Sequence, residues 1–254
     1  MSDDVLYEVG EGVAWVTINR PAARNALNAS VRIGLKEAFQ RFNEDDSAAV
    51  LVLTGAGDKA FCAGGDLKEM AETQLQIPPP DYVTQPNRTI RMEKPVIAAV
   101  NGIAFGGGFL LAQSADLVVA ADSAKFGVTE ARLGRGAPWA APLPWLIPPR
   151  IAMEMLVTAE PVSAQRAYEV GLVNHVVPLA ELRERTAAFA ARIVANAPLS
   201  VRAGKAMVYA VAEHPRSQAF DEAERIWEPA YLSHDAQEGP RAFREKRSPV
   251  WQGR

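Results

Sequence analysis

Three consecutive glycines stand in the stretch Asn101-Gly102-Ile103-Ala104-Phe105-Gly106-Gly107-Gly108-Phe109-Leu110-Leu111-Ala112, after a strand-like apolar run and before an apolar helix. Glycine removes every side chain that would keep a ligand off the main chain. The first turn of the helix offers unpaired N–H groups with the positive end of the helix dipole behind them, so this is a place to hold an anion. A related arrangement comes earlier, where Val50-Leu51-Val52-Leu53 is followed by Thr54-Gly55-Ala56-Gly57-Asp58-Lys59 and then Phe61-Cys62-Ala63-Gly64-Gly65-Asp66. Val50–Leu53 and Val96–Val100 both read as buried parallel strands. They would deliver their small-residue loops to one edge of a sheet. Two main-chain donors converging there would form an oxyanion hole, which stabilises negative charge as it develops on a carbonyl oxygen.

Other reactive side chains compete weakly with this reading. Cys62 is the only cysteine, so no internal disulfide can form and a reducing cytoplasm is the expected compartment. Its expected role is that of a small buried filler. His175, His214 and His234 lack metal-ligand spacing, and no zinc or iron motif is present, so no metal is expected. The 254 residues, 48% hydrophobic and 22% charged, suit an enzyme-sized chain with one sizeable core. A net charge of -3 gives no electrostatic reason to expect nucleic acid, although Arg241, Arg244, Lys246 and Arg247 make a local basic cluster. The N-terminal Met1-Ser2-Asp3-Asp4 is acidic and lacks the features of a signal peptide, and no apolar run approaches the length of a membrane span.

The elements that must carry these loops follow from periodicity and punctuation. Val5 to Val9 and Val13 to Ile18, separated by Gly10-Glu11-Gly12, predict a hairpin. Ser30 is the expected N-cap of a helix with Val31, Leu35, Phe39 and Phe42 on one face. A short helix is expected from Leu67 to about Glu72. Pro78, Pro79, Pro80 and Pro86 predict an irregular segment over residues 74–86 that borders a pocket. Lys94-Pro95 is expected to close a short helix before the second strand. Asp116 to Ala120 and Val173 to Val177 are further strands. Pro149 opens a helix with Ile151, Met155 and Leu156 on one face, and Ser163 caps another that Gly171 ends. Three helical patterns follow, Ala180 to Asn196, Leu199 to Ala212 and about Ser217 to Ser233. The expected class is an α/β body followed by a helical tail, its repeated strand and helix units suggesting a spiral.

Several segments, taken in order, resemble the crotonase, or enoyl-CoA hydratase/isomerase, superfamily over nearly the whole chain. They are Asn19-Arg20-Pro21 with Asn25-Ala26-Leu27-Asn28, Ala60 to Leu67, Lys94 to Gly102, Gly106-Gly107-Gly108, Phe126-Gly127 with Glu130, Gly171-Leu172-Val173-Asn174, and Ala242 to Arg247. The resemblance implies a spiral of ββα units over residues 1–195 that binds acyl-CoA. It implies a helical trimerisation module over 196–254, in a homotrimer or dimer of trimers. The substrate would be a CoA thioester, with no cofactor beyond the CoA that the substrate carries. The amides of Ala63 and Gly107 would bind the thioester oxygen beside an enolate. Gly64, Gly65, Asp66 and Leu67 would line the CoA side, Arg24 would approach the CoA phosphates, and Phe243 and Lys246 would reach a CoA held largely by a neighbouring subunit.

Two departures from the family pattern shape the expected chemistry. Family hydratases carry a glutamate where this chain has Leu110, and it works with a second glutamate that is present as Glu130. Losing one general acid/base group costs about 10²- to 10⁴-fold in rate, so a two-glutamate hydratase is disfavoured. One carboxylate suffices to move a proton from C2 to C4 of a 3-enoyl-CoA, and double-bond isomerisation is the favoured activity. A hydratase with a substituted second acid, a decarboxylase, a C–C bond-forming or cleaving enzyme and a non-catalytic acyl-CoA binder are the alternatives. The second departure is Leu133 to Pro142, where Trp139 and the prolines would stiffen the pocket wall and Arg132 or Arg135 would either meet a polar acyl group or face solvent. Gly55 to Ala60 imitates a dinucleotide fingerprint without a helix in register, and neither a P-loop nor a Gly-x-Ser-x-Gly elbow is present.

Overall fold

Two runs rich in β-branched residues meet at a glycine turn, and β1 (Val5–Gly10) pairs antiparallel with β2 (Val13–Ile18), Val5 opposite Ile18. The computed structural model describes residues 3–254, so Met1 and Ser2 of the acidic N-terminus lie outside the described residues. Helix α1 (Ala29–Glu44) buries Val31, Leu35, Phe39 and Phe42, the spacing of one helical face. Its cap is Asn28 and not Ser30. The Asn28 side-chain oxygen accepts from the Val31 amide at 3.0 Å, and Ser30 already sits inside the first turn.

From there the chain alternates between two layers. It passes through β3 (Val50–Gly55), β4 (Ala60–Cys62), α2 (Leu67–Thr73), β5 (Val96–Val100), β6 (Ile103–Phe105), α3 (Gly107–Ser114), β7 (Leu117–Ala121) and β8 (Lys125–Gly127). Helices α4 (Leu143–Leu146) and α5 (Pro149–Thr158) precede β9 (Val162–Ser163), α6 (Ala164–Glu169), β10 (His175–Val177) and α7 (Leu182–Val194). One sheet has the order β1-β2-β3-β5-β7-β10 and is parallel from β2 onward; the other has the order β4-β6-β8-β9, parallel from β4 to β8. Each turn of the spiral therefore gives one strand to each sheet. Strands β3 and β5 are buried on both faces, which is why they read as continuous apolar runs.

The apolar core runs from Val5 to Ala190. The chain ends in α8 (Pro198–Glu213), α9 (Arg216–Tyr231) and α10 (His234–Glu245). Helix α10 is separate from α9 because Ser233 caps it, accepting from the Ala236 amide at 3.1 Å. The short helix expected before Pro95 does not form. Residues 91–95 are loop instead, anchored by buried Lys94, whose Nζ donates to the carbonyls of Phe42 and Asp45 at 2.9 and 2.7 Å. The expected strand from Val173 starts only at His175, since Asn174 spends its side chain on the Val118 amide at 2.7 Å. Among the described residues no helix is long and apolar enough to cross a membrane, and no group of His, Cys, Asp and Glu side chains is arranged to hold a metal ion.

Candidate active site

The small-residue loops meet, but strands β4 and β6 bring them together, not β3 and β5. Parallel pairing of β4 with β6 sets Ala63-Gly64-Gly65 beside Gly106-Gly107-Gly108. The earlier loop, Ala56 to Lys59, is the crossing between sheets. Two asparagines from the motif segments tie it down. Buried Asn25 donates to the carbonyls of Ala56 and Ala60 at 3.0 and 2.7 Å and accepts from the Arg20 amide, while Asn101 donates to Gly57 O at 2.8 Å.

Gly106 is the N-cap of α3 at φ +52 and ψ -121, a conformation that side chains avoid. A side chain there would also stand against the Glu130 carboxylate, whose Oε1 is 3.2 Å from the position of a Cβ. Gly108 meets a different limit, because its Cα packs directly on the Cys62 main chain. Cys62 is buried, and burial pushes its thiol up to about 12 against the opposing bond from the Gly64 amide. It packs as a neutral group, in line with the filler role.

Of the expected donors Ala63 and Gly107, only Gly107 has an amide left unpaired among the described residues. The Ala63 amide donates to Arg24 O at 3.0 Å, so it is already engaged. Arg24 sits at φ +52, the left-handed turn that aims its carbonyl at this amide. Gly65 and Gly107 both line the cavity, and neither amide has a protein acceptor among the described residues. The two glycines are neighbours, a Cβ placed on Gly107 lying 3.8 Å from Gly65 N.

These groups open on a cavity of about 820 Å³ that Arg24, Asp66, Leu67, Leu110, Glu130 and Trp139 also line. Gln76 to Pro80 and Tyr82 form its opposite wall, so the proline segment borders the pocket. Arg135 fastens that wall, donating to Leu75 O at 2.7 Å, whereas Arg132 pairs with Glu160 at the surface. Arg32, bidentate on Glu69 at 3.0 and 2.9 Å, stacks 4.0 Å above the Tyr82 ring. Arg20, Tyr82 and Asn25 carried no site role in the sequence reading. Arg20 and Tyr82 stand in the folded wall, and Asn25 lies behind it, holding the crossing loop.

Asp66 caps α2, its Oδ1 accepting from the Lys68 and Glu69 amides at 3.2 and 3.4 Å, and its Oδ2 accepts from Arg20 at 3.1 Å. Burial raises its carboxyl, but the Arg20 bond and the two amides outweigh burial and hold it below the usual range. Asp66→Ala should cost about 0.5–2 kcal/mol for the lost cap and release Arg20 from the cavity wall. Thermal melting should drop by a few degrees and acyl-CoA titration should weaken; unchanged binding would remove Asp66 from the wall's function. Phe243, 86% exposed, and Lys246, at φ +53 after α10, do not line this chain's cavity.

Glu130 opens a 3-10 turn after β8. Its Oε1 accepts from Trp139 Nε1 at 2.9 Å, while Oε2 is buried with no partner among the described residues. Burial pushes the carboxyl up against the bonds made by the local main chain and Trp139. Leu110, 5% exposed on α3, presents only hydrocarbon to the cavity. The site thus combines two free amides, one carboxylate with a free oxygen, and an apolar wall.

The family model described as enoyl-CoA hydratase/isomerase matches residues 8–254. The carnitinyl-CoA dehydratase of Salmonella typhi is 41% identical over 270 residues, covering 100% of both chains, and that of Escherichia coli is 39% identical with the same coverage. Among solved structures, an enoyl-CoA hydratase from Mycobacterium tuberculosis aligns at TM-score 0.91 and 38% identity over 100% of both chains. A probable enoyl-CoA hydratase/isomerase from Mycobacterium abscessus aligns at TM-score 0.89 and 40% identity, also over 100% of both chains.

Proposed function

The chain belongs to the enoyl-CoA hydratase/isomerase family, and on that premise we propose that it isomerises an enoyl-CoA by single-carboxylate proton transfer. The thioester oxygen sits between the Gly65 and Gly107 amides. Fixed donors at that oxygen act most strongly once charge has moved onto it, so they lower the barrier to forming an enolate. Glu130 takes the proton from C2 of a 3-enoyl-CoA, the dienolate spreads its charge to C4, and Glu130 returns the proton there. The double bond ends in conjugation with the thioester.

One observation carries this reading. Of the two carboxylates that line the cavity, Asp66 is engaged by Arg20 and α2, and Leu110 supplies none, so Glu130 alone is free to exchange a proton. A second reading, hydration or dehydration across C2 and C3, is supported by the names of the relatives, which are dehydratases and hydratases. It requires a second acid from outside the side chains seen here. Purified protein assayed on 3-enoyl-CoA and 2-enoyl-CoA of matched length, by conjugation absorbance and by mass, separates the two. Fast conjugation with negligible water addition is the expected result, and fast hydration would overturn it. Silence on both would favour decarboxylation, C–C chemistry or an acyl-CoA binder.

The assembly belongs to the same proposal. Helices α8 and α9 and the turn after them expose Val208, Phe220, Tyr231 and Leu232, an apolar surface suited to a homotrimer or a dimer of trimers. Light scattering should give a mass that is a multiple of three chains, and a clean monomer would contradict it.

A further inference from the structure

We infer that Trp139 is a positioning residue that holds Glu130 by Oε1 and thereby makes Oε2 the oxygen that takes and returns the substrate proton. The inference rests on the reading of Glu130 as the base. The two carboxylate oxygens have different surroundings. Oε1 accepts from the indole at 2.9 Å, while Oε2 is buried without a partner in a residue that lines the cavity. An indole N–H donates only and can neither accept a proton nor give one up near neutral pH. Its bond to Oε1 therefore persists whether Glu130 is charged or neutral, and Oε2, which carries no donor, is the oxygen left open to an arriving proton.

Trp139 is itself fixed on two sides. Its ring meets Phe109 edge to face at 5.9 Å and 81°, and its carbonyl accepts from Gln113 Nε2 at 2.6 Å. Both partners belong to α3, the helix whose first turn supplies the Gly107 amide. The base and one oxyanion donor are consequently referenced to the same rigid element, which favours constant geometry through the reaction. Pro138 starts the short turn that carries Trp139.

The charged groups around Glu130 are committed elsewhere. Arg132 on its own turn pairs with Glu160, Arg135 binds Leu75 O, and Asp66 across the cavity is held by Arg20. Arg150 and Glu154 on α5, which packs against this turn, are exposed, and α3 carries no charged side chain. The indole is thus the side-chain donor that, together with the local main chain, works against burial and favours the charged form. The step balances without any co-reactant. The C2–H bond breaks, its electron pair enters the dienolate, the proton rests on Oε2, and the same proton count is restored at C4.

The test is Trp139→Phe, which keeps an apolar ring and deletes the donor, read as kcat and KM against pH on the best enoyl-CoA. Losing a hydrogen bond to a charged group should move the acid limb of kcat up by about one pH unit. Turnover should fall by up to about 10-fold at pH values below the wild-type acid limb, recover as pH rises through the shifted limb, and leave KM nearly unchanged. An acid limb that stays in place, with a drop equal at all pH values, would overturn the inference and leave Trp139 as packing alone. Should the Phe variant fold poorly, benzothienylalanine at position 139 keeps the indole shape without the N–H, and the same two outcomes apply. Glu130→Gln is run alongside. Full activity there would defeat the base itself, whereas an inactive Gln variant beside an unshifted Trp139→Phe profile would defeat only the positioning role.

Discussion

Glu130→Gln should lower turnover by about 10²- to 10⁴-fold, the usual worth of one general acid/base group, and should leave acyl-CoA binding and the melting temperature in place. The amide has nearly the shape of the carboxyl and can still accept from Trp139, but it cannot take a proton. The stability part follows from the sign of the shift. Burial sets the Glu130 carboxyl above its ordinary value, so the folded protein holds that proton more readily than the unfolded chain. Stability from this group is present below the ordinary carboxylate range and is lost as pH rises through the raised value. Glutamine resembles the protonated form, and at neutral pH it removes a buried charge without cost. Activity has the opposite dependence, since the base works only when ionised, and wild-type kcat should fall as pH drops through the raised value. Turnover unaffected by the substitution would remove Glu130 from the chemistry, and a collapsed melting temperature would make its role structural.

Gly108→Ala has the second large effect. The added methyl would overlap the Cys62 carbonyl oxygen and lie 2.8 Å from its carbon. These are main-chain atoms of β4 that cannot rotate away. Overpacking of this kind costs about 1–3 kcal/mol or more, and relief requires α3 to move off β4. That motion separates Gly107 from Gly65, so activity should fall at least about 100-fold even in molecules that remain folded, because one donor of an oxyanion hole is worth about 10²- to 10³-fold. Gly65→Ala is the comparison. Its methyl would meet the end of the flexible Met70 side chain, which can turn aside, and its melting temperature should drop far less. Differential scanning of both variants with acyl-CoA titration checks the contrast, and equal losses would contradict it.

The parts of the fold that announced themselves in the sequence are those where one residue type does one job. Val50 to Leu53 and Val96 to Val100 are buried on both faces and so carry no polar interruptions, and the hairpin and the capped helix at Ser163 have local chemistry of their own. Strands β4 and β6, each three residues long, are too short to show a period, and the sheet that holds the site went unread. The same limit applied to the donors. Ala63 and Gly65 stand two apart in one loop, and only the Arg24 carbonyl, turned inward by a left-handed residue distant in sequence, decides which amide is spent. Trp139 was legible as bulk. Its bond to Glu130 crosses an irregular turn with no periodicity to forecast it. Ser30 and Asn28 are both capping types, and the choice between them lies in where the bridge between Leu27 and Gly65 releases the chain into α1.

The most direct measurement is exchange of the C2 hydrogens of a saturated acyl-CoA in heavy water, followed by mass, with wild-type protein and with Glu130→Gln. It isolates enolate formation from whatever happens to the double bond. The expected result is exchange by wild type that rises with pH through the Glu130 titration and is lost in the Gln variant while acyl-CoA still binds. Exchange of equal rate in the Gln variant, or none in wild type under saturating ligand, would contradict a single carboxylate acting against two main-chain amides.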